Sequence, residues 1–262
     1  MAATLPGRVS AFAYGVVSYA VFFATFLYAM GFVGDFGVPK TIDSGADGPF
    51  LTALLVNLLL LGVFAVQHSV MARPAFKRAW TRFVPEPVER STYVLLSSVA
   101  LILLFWQWRP MGGVVWHVAD PTIRVVLHAI CALGWLTVLV STFLINHFDL
   151  FGLRQVWLFL RGKQYTHLPF GTPGPYRLVR HPLYVGWLLA FWATPTMTIA
   201  HLIFALMTTG YILGAIQLEE RDLVAAHGDS YRRYRDRVPM LIPGLRRKRS
   251  TTTVGGAAAA RS

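Results

Sequence analysis

Several apolar runs of membrane-spanning length constrain this chain more than any other feature. A helix needs about 20 apolar residues to cross the hydrocarbon core of a bilayer. Of the 262 residues, 55% are hydrophobic and only 14% are charged, whereas soluble domains carry about 25% charged residues. Lipid tolerates only helices and closed barrels, and these runs are too long and too uniformly apolar for barrel strands, so we predict an all-α, polytopic transmembrane helix bundle. The runs cover residues 10–33, 50–66, 92–108, 123–145 and 183–217.

The charged residues between these runs predict how the bundle is oriented. The loop after the first run carries three aspartates and one lysine, whereas arginine and lysine dominate residues 73–90, the connector at 147–182 and the tail from residue 221. Cationic loops stay in the cytoplasm. All basic loops lie there only if the last apolar stretch enters the membrane and returns. This gives about six helical segments, the last two a helical hairpin, with both termini cytoplasmic.

The net charge of +12 raises the question of a nucleic-acid partner. The arginines flank apolar runs and form no separate basic domain, so we predict no nucleic-acid partner and attribute the charge to orientation and to attraction toward anionic membrane lipid. Cys131 is the only cysteine, which excludes an internal disulfide. Residues 1–245 read as one membrane domain, and residues 246–262 as a disordered tail that is poor in aromatic and branched apolar residues.

The predicted hairpin brings two polar segments together. Pro195 interrupts the last apolar stretch and is either the turn of the hairpin or a kink before a turn near Ala200. If Pro195 marks the turn, the first arm is only about 18 Å long at 1.5 Å per residue. A turn near residue 200 returns Glu219 beside His181, on the cytoplasmic side.

The residues at the two ends of this hairpin have the chemistry of a small-ligand site. A guanidinium offers a fork for a carboxylate, a glutamate accepts hydrogen bonds from hydroxyl or ammonium groups, and an aromatic face can hold a cation. A glycine allows close approach of the backbone. Membrane anchoring by the arginines and solvation of the glutamates explain the same charges without a ligand. The residues in question are Arg180, His181, Tyr184, Gly186, Glu219 and Glu220.

The stretch "GPYRLVRHPLYVG", followed about 30 residues later by "EERDLVAAHGDSYRRYRDRVPMLIP", resembles the membrane methyltransferases typified by isoprenylcysteine carboxyl methyltransferase. The resemblance covers roughly the last third of the chain and departs from the family at His227, where a phenylalanine is usual. It implies a membrane methyltransferase domain over residues 1–245 that binds S-adenosyl-L-methionine. The implied cofactor-binding residues are Tyr176, Arg180, His181, Tyr184, Gly186, Glu219 and Glu220.

Two upstream stretches narrow the resemblance. "QHSVMARPAFKRAWTRFVPEPVER" and "NHFDLFGLRQVW" are similar to the bacterial methanethiol S-methyltransferase branch of this family. That branch implies a bacterial cytoplasmic membrane and methyl transfer to methanethiol, a small thiol, which gives dimethyl sulfide. Because a thiol must lose its proton to react, we assign His68 and His147 as candidate catalytic bases. Gln67 and Asn146 are candidate substrate residues, with interhelical hydrogen bonding as the alternative.

Other functions stay open at this stage. A methyltransferase for prenylcysteine or a phospholipid amine would share the cofactor motifs, and a small membrane transporter would share the helices. Transporters typically carry internal repeats and midplane sites, and the chain shows no repeat. No metal-binding spacing such as His-Glu-x-x-His occurs, so we predict no metal.

The charge distribution predicts the outcome of reporter fusions. Fusions after residues 85, 165 and 245 should report a cytoplasmic location, and a fusion after residue 43 an external one, because the first three positions lie in or beside basic segments and residue 43 lies in a loop with an acidic excess. Paired phosphatase and fluorescent-protein reporters measure both sides. A cytoplasmic signal at residue 43 would exclude the six-segment topology.

Overall fold

The computed structural model describes residues 4–166 and 168–245, so the predicted disordered tail lies outside the described residues. The chain is an all-α bundle, as predicted. Five helices are long and apolar enough to cross a membrane, which makes this a multi-pass integral membrane protein. They are α1 (Leu5–Gly34), α2 (Phe50–Ala72), α4 (Glu86–Gln107), α5 (Pro121–Ile145) and α9 (Ile199–His227).

Shorter elements connect and complete the long helices. An 11-residue apolar helix supplies the sixth predicted segment. A two-stranded antiparallel sheet, which the sequence did not predict, pairs a strand from the hairpin turn with a strand from the connection between α4 and α5. The short elements are α3 (Pro74–Trp80), β1 (Val114–His117), α6 (His147–Leu150), α7 (Leu153–Leu160), a 3₁₀ turn (Gly174–Arg177), α8 (Pro182–Trp192), β2 (Thr196–Thr198) and α10 (Asp229–Arg237).

The hairpin turns at the Pro195 break and not near Ala200. Helix α8 is only about 16 Å long at 1.5 Å per residue, too short for the roughly 30 Å core. The extended residues 193–198 cover the remaining depth, and Thr196–Thr198 pair with β1. The Pro195 carbonyl accepts a hydrogen bond from Val118, so this irregular backbone is satisfied within the protein, as lipid requires. Helix α9 therefore starts level with the turn and returns beside the start of α8.

Helices α5 and α8 pack backbone against backbone. A Cβ added at Gly134 would lie 2.6 Å from the Ala190 nitrogen and 2.7 Å from the Gly186 carbonyl. The Cys131 thiol donates to the Ala190 carbonyl at 3.5 Å. Small residues at such crossings let membrane helices approach closely. This contact fixes the position of α8, and hence of the residues at its start.

The close α5–α8 contact predicts a stability effect for one added methyl group. Gly134→Ala should lower the free energy of unfolding by about 1–3 kcal/mol, because the methyl group meets backbone that cannot move independently. Gly210→Ala is the matched control: Gly210 lies in α9, and no atom would lie within 4 Å of its new Cβ. The control should be neutral or more stable by up to about 1 kcal/mol, because alanine favours helix. Thermal unfolding in detergent measures both, and equal melting temperatures would contradict the packing.

Candidate functional site

A buried ion-pair cluster closes the hairpin. The Arg180 Nε donates to the Glu220 Oε1 at 2.7 Å, and the His181 Nε2 lies 3.1 Å from the same oxygen. His181 and Glu220 are 4% and 6% exposed. The two ends of the hairpin therefore meet as the sequence predicted, although 40 residues separate Arg180 from Glu220 in the chain.

The neighbouring carboxylate of Glu219 has a different environment. It accepts a hydrogen bond from the Tyr184 hydroxyl at 2.9 Å and lies 3.9 Å from the His181 Nδ1, with 43% of its side chain exposed. Arg180 binds Glu220 and balances its charge, whereas no described guanidinium lies within 4 Å of Glu219. Glu219 is therefore the carboxylate of this cluster whose negative charge no arginine offsets.

A segment after α10 holds Arg180 in place. The Arg180 Nη1 donates to the carbonyls of Arg235 and Val238, and the Arg180 backbone N–H donates to the Pro239 carbonyl at 2.8 Å. The His181 N–H donates to the Met240 carbonyl. These bonds use the Nε and Nη1 donors of Arg180, so the side chain positions Glu220 and the start of α8. Direct contact of Arg180 with a cofactor stays a prediction.

Tyr176 presents a phenol toward the same cluster. Its hydroxyl is buried beside that of Ser141, in a geometry that gives neither group a good hydrogen bond. Burial, and then the negative charge of Glu219, raise the pKa of Tyr176 above its usual value. The phenol therefore stays protonated as a donor near Glu219, and an unsatisfied buried hydroxyl of this kind indicates a missing partner. The Tyr176 carbonyl is held by the Tyr234 hydroxyl at 2.6 Å.

Gly186 faces the neighbouring helix. A Cβ at this position would lie 2.7 Å from the Gly134 carbonyl and 2.8 Å from the Val138 nitrogen. The close backbone approach that its sequence context predicted is therefore an approach to α5. Direct contact of Gly186 with a cofactor stays a prediction.

His68 lies in a second polar cluster, between α2, α4 and α9. Its Nε2 is 2.9 Å from the Tyr93 hydroxyl, and its Nδ1 is 3.3 Å from the Ser97 hydroxyl. Phe64 stacks on the imidazole ring with 5.2 Å between ring centroids. The ring is thus oriented by hydroxyl groups and an aromatic face, with no carboxylate within hydrogen-bond distance among the described residues.

The His68 cluster contacts α9, the helix that carries Glu219. The Phe64 ring, which stacks on His68, lies 6.1 Å from the Tyr211 ring of α9. Tyr211 accepts a hydrogen bond from Ser69 at 3.2 Å. Sequence reasoning missed Tyr93 and Tyr211, because each is a single tyrosine inside an apolar run and no motif distinguishes it.

Gln67 lies beside an apolar cluster near His68. Its Nε2 donates to the Met71 sulfur at 3.1 Å, and its Oε1 is buried without a partner among the described residues. Met71 packs with Tyr93 and Val94 in a small buried cluster. A free carbonyl oxygen next to apolar side chains suits a small thiol.

His147 occupies a third cluster, between α1 and the end of α5. Its Nε2 lies 2.8 Å from the Tyr19 hydroxyl and its Nδ1 2.8 Å from the Thr142 hydroxyl. Burial lowers the pKa of His147, so its imidazole is neutral at neutral pH. Phe151 contacts the His147 ring and also packs against the cluster around Met71. Aromatic packing therefore lies between His147 and His68.

Asn146 has a structural role at the end of α5. Its φ of 149° is more accessible to asparagine than to most residues, and its Oδ1 accepts a hydrogen bond from the Asp149 N–H at 3.0 Å. It thereby ends α5 and caps α6. Contact of Asn146 with a substrate stays a prediction. Within residues 4–166 and 168–245, no group of three or more His, Cys, Asp or Glu side chains could hold a metal ion.

Comparisons with known proteins agree with this architecture. The chain is 62% identical over 230 residues to a methanethiol S-methyltransferase of Mycobacterium tuberculosis, covering 88% of this chain and 94% of that one. It is 58% identical over 235 residues to a methanethiol S-methyltransferase of Crocosphaera subtropica, covering 90% and 92%. Mouse Nurim is 33% identical over 189 residues, covering 68% and 70%.

Two further comparisons returned nothing. No family model matches the chain, and no solved structure matches it. The relatives nevertheless share nearly the full length of the described bundle, including both ends of the hairpin. On this evidence the chain belongs to the methanethiol S-methyltransferase family.

Proposed function

We propose that this chain is an integral-membrane, S-adenosyl-L-methionine-dependent methyltransferase that converts methanethiol to dimethyl sulfide. The observation that supports it most is that the two adjacent glutamates have different partners. Glu220 satisfies Arg180 and His181, while Glu219 keeps a partly exposed charge that only Tyr184 holds by a hydrogen bond. Relatives at up to 62% identity carry the name methanethiol S-methyltransferase.

The residues around Glu219 fit S-adenosyl-L-methionine, whose sulfonium makes its methyl group open to attack by a nucleophile. The negative charge of Glu219, which no described arginine offsets, favours a cationic ligand. The Tyr176 hydroxyl lacks a good partner and is free to donate to a ligand. Aromatic rings favour cations at short range, and Tyr184 and Trp187 lie on the first turns of α8.

The acceptor side suits a small neutral thiol. The thiolate is the reactive form, and a neutral imidazole can take the thiol proton as the sulfur attacks the methyl carbon. We assign this role first to His68, because its neighbour Ser69 hydrogen-bonds to Tyr211 on α9, the helix that also carries Glu219. His147 is the second candidate, because the aromatic packing around Phe151 separates it from the His68 cluster.

The chain also keeps its ionic groups away from the proposed position of the reacting sulfur atoms. A sulfonium and a thiolate lose their charges as the methyl group transfers, so strong ionic stabilisation of the reactants would slow the step. The Met71–Tyr93–Val94 cluster provides apolar surroundings near His68, whereas the ionic groups gather at the ends of α8 and α9. Geometry that aligns the two sulfurs with the methyl carbon then supplies much of the rate.

The proposed orientation places this chemistry at the cytoplasmic side, where the methyl donor is made. The basic loops favour this orientation. Arg73 at the end of α2 also pairs with Asp222 near the end of α9, with 2.9 Å between Nη1 and Oδ2. The ends that carry His68 and Glu219 therefore lie on one side of the bundle. The reporter fusions described above test the orientation.

The proposed function predicts the product and its pH dependence. Purified protein given S-adenosyl-L-methionine and methanethiol should release dimethyl sulfide, measured by headspace gas chromatography. His68→Ala should lower turnover about 10²-fold or more near pH 7, the range typical of a lost general base. Turnover should recover in part above pH 9, because free thiols ionise without help in alkali (about pH 8.5 for cysteine).

Two variants provide the controls. His128→Ala removes an exposed histidine of α5 and should retain the wild-type profile, while His147→Ala tests the second candidate base. If neither His68→Ala nor His147→Ala shows a pH-dependent loss, the protein captures preformed thiolate and neither histidine is a base. If the wild type methylates a prenylated cysteine or a lipid amine but not methanethiol, the proposed acceptor is wrong.

A further inference from the structure

A pocket outside the His68 and His147 clusters is lined by three arginines. It has a volume of about 450 Å³ and lies between α10 and the segment that leads into the 3₁₀ turn. We name it the arginine pocket. Its lining residues are Phe170, Thr172, Arg177, Ser230, Arg233, Tyr234, Arg237 and Val238.

The periodicity of α10 explains how this pocket forms. Ser230, Arg233, Tyr234 and Arg237 are spaced at i, i+3, i+4 and i+7, so they share one face of the helix. The Phe170 ring lies 5.6 Å from the Tyr234 ring. The Tyr234 hydroxyl also donates to the Tyr176 carbonyl, which holds the neighbouring Arg177 beside this face of α10.

Within the part of the chain that the structure describes, the three arginines line one pocket and none of them forms an ion pair with a carboxylate. Like charges at i and i+4 on a helix repel each other, as Arg233 and Arg237 do here. Among the described residues, no carboxylate lies within 4 Å of Arg177, Arg233 or Arg237, and Asp229 is paired with Arg232 at 2.8 Å. A guanidinium matches a phosphate with two parallel hydrogen bonds, so the pocket suits a phosphate anion.

Apolar surface lies directly beside the arginine pocket, as it does beside the headgroup of a membrane lipid. Leu178, next to Arg177, is 64% exposed. Val238 lines the arginine pocket, and the chain continues from there into Met240, Leu241 and Ile242, which line an apolar groove of about 720 Å³ along α8. A phosphate site and an apolar groove therefore lie on the same short segment, where α8 enters the membrane.

We propose that the arginine pocket binds the phosphodiester headgroup of an anionic phospholipid, with an acyl chain in the adjoining groove. The lipid would hold α10 and the segment at 238–242 against the membrane. Those residues also fix Arg180 through the carbonyls of Arg235 and Val238. This inference does not depend on the methylated acceptor.

Native mass spectrometry of the full-length protein in detergent tests the proposal, with dioleoyl-phosphatidylglycerol and dioleoyl-phosphatidylcholine as probes. The wild type should prefer phosphatidylglycerol. The triple variant Arg177→Gln, Arg233→Gln, Arg237→Gln should bind it on the order of a hundredfold more weakly, since each arginine near anionic lipid contributes about a factor of five. The control triple Arg78→Gln, Arg82→Gln, Lys163→Gln removes the same charge from exposed positions outside the pocket and should lose far less phosphatidylglycerol binding than the pocket variant.

Each other outcome counts against the site. Equal phosphatidylglycerol binding by wild type and pocket variant would overturn it, and so would an equal loss in the control triple, which would show a general charge effect. Inorganic phosphate that binds in the pocket while phosphatidylglycerol shows no preference would assign the site to a soluble anion. If the triple variant fails to fold, Arg177→Gln alone should lower binding about fivefold, and no change there would also overturn the proposal.

Discussion

The buried contact between Arg180, His181 and Glu220 is the interaction on which the rest of the site depends. Removing one partner of a buried ion pair costs about 3–5 kcal/mol, because the other charge is left without compensation. Here the pair joins the start of α8 to the end of α9. It also fixes the segment after α10 through the carbonyls that bind Arg180. Three parts of the chain therefore converge on one carboxylate.

Because Arg180 and His181 contact Glu220, the carboxylate of Glu219 stays available for a ligand. Adjacent residues on a helix point in different directions, so Glu220 faces inward to the ion pair while Glu219 faces Tyr184 and the more open side. The contact between Tyr184 and Glu219 lies at the start of α8. The position of this short helix is set by the Pro195 turn and by its close packing against α5. Ser69, beside His68, hydrogen-bonds to Tyr211 on the same helix as Glu219, so the His68 cluster and the Glu219 region are both held by α9.

Much of this arrangement could be predicted from the sequence, for physical reasons. The apolar runs predicted the helices, because lipid leaves few alternatives, and a hairpin between His181 and Glu219 required those residues to meet. The position of the hairpin turn could not be predicted, because a proline break fits either a kink or a turn. Only the pairing of Thr196–Thr198 with β1 decides between them.

Other features depend on tertiary contacts that no local pattern encodes. Tyr93 and Tyr211 are isolated tyrosines on different helices, and the sequence does not show which way they face. Gly186 was predicted from its motif, but its neighbour is Gly134, about 50 residues away in the chain. Asn146 is a candidate substrate residue, and the structure adds a role that the sequence did not predict, because its side chain caps α6.

Binding of S-adenosyl-L-methionine, in the absence of a thiol, to two matched variants, Glu219→Ala and Glu220→Ala, tests the central claim most directly. Calorimetry and thermal unfolding in detergent should separate the two. We expect Glu220→Ala to melt well below the wild type, because it breaks the buried pair. Glu219→Ala should melt like the wild type yet bind about 10- to 100-fold more weakly, which is the loss of one hydrogen bond to a charged group. Unchanged affinity in a folded Glu219→Ala variant would contradict the account.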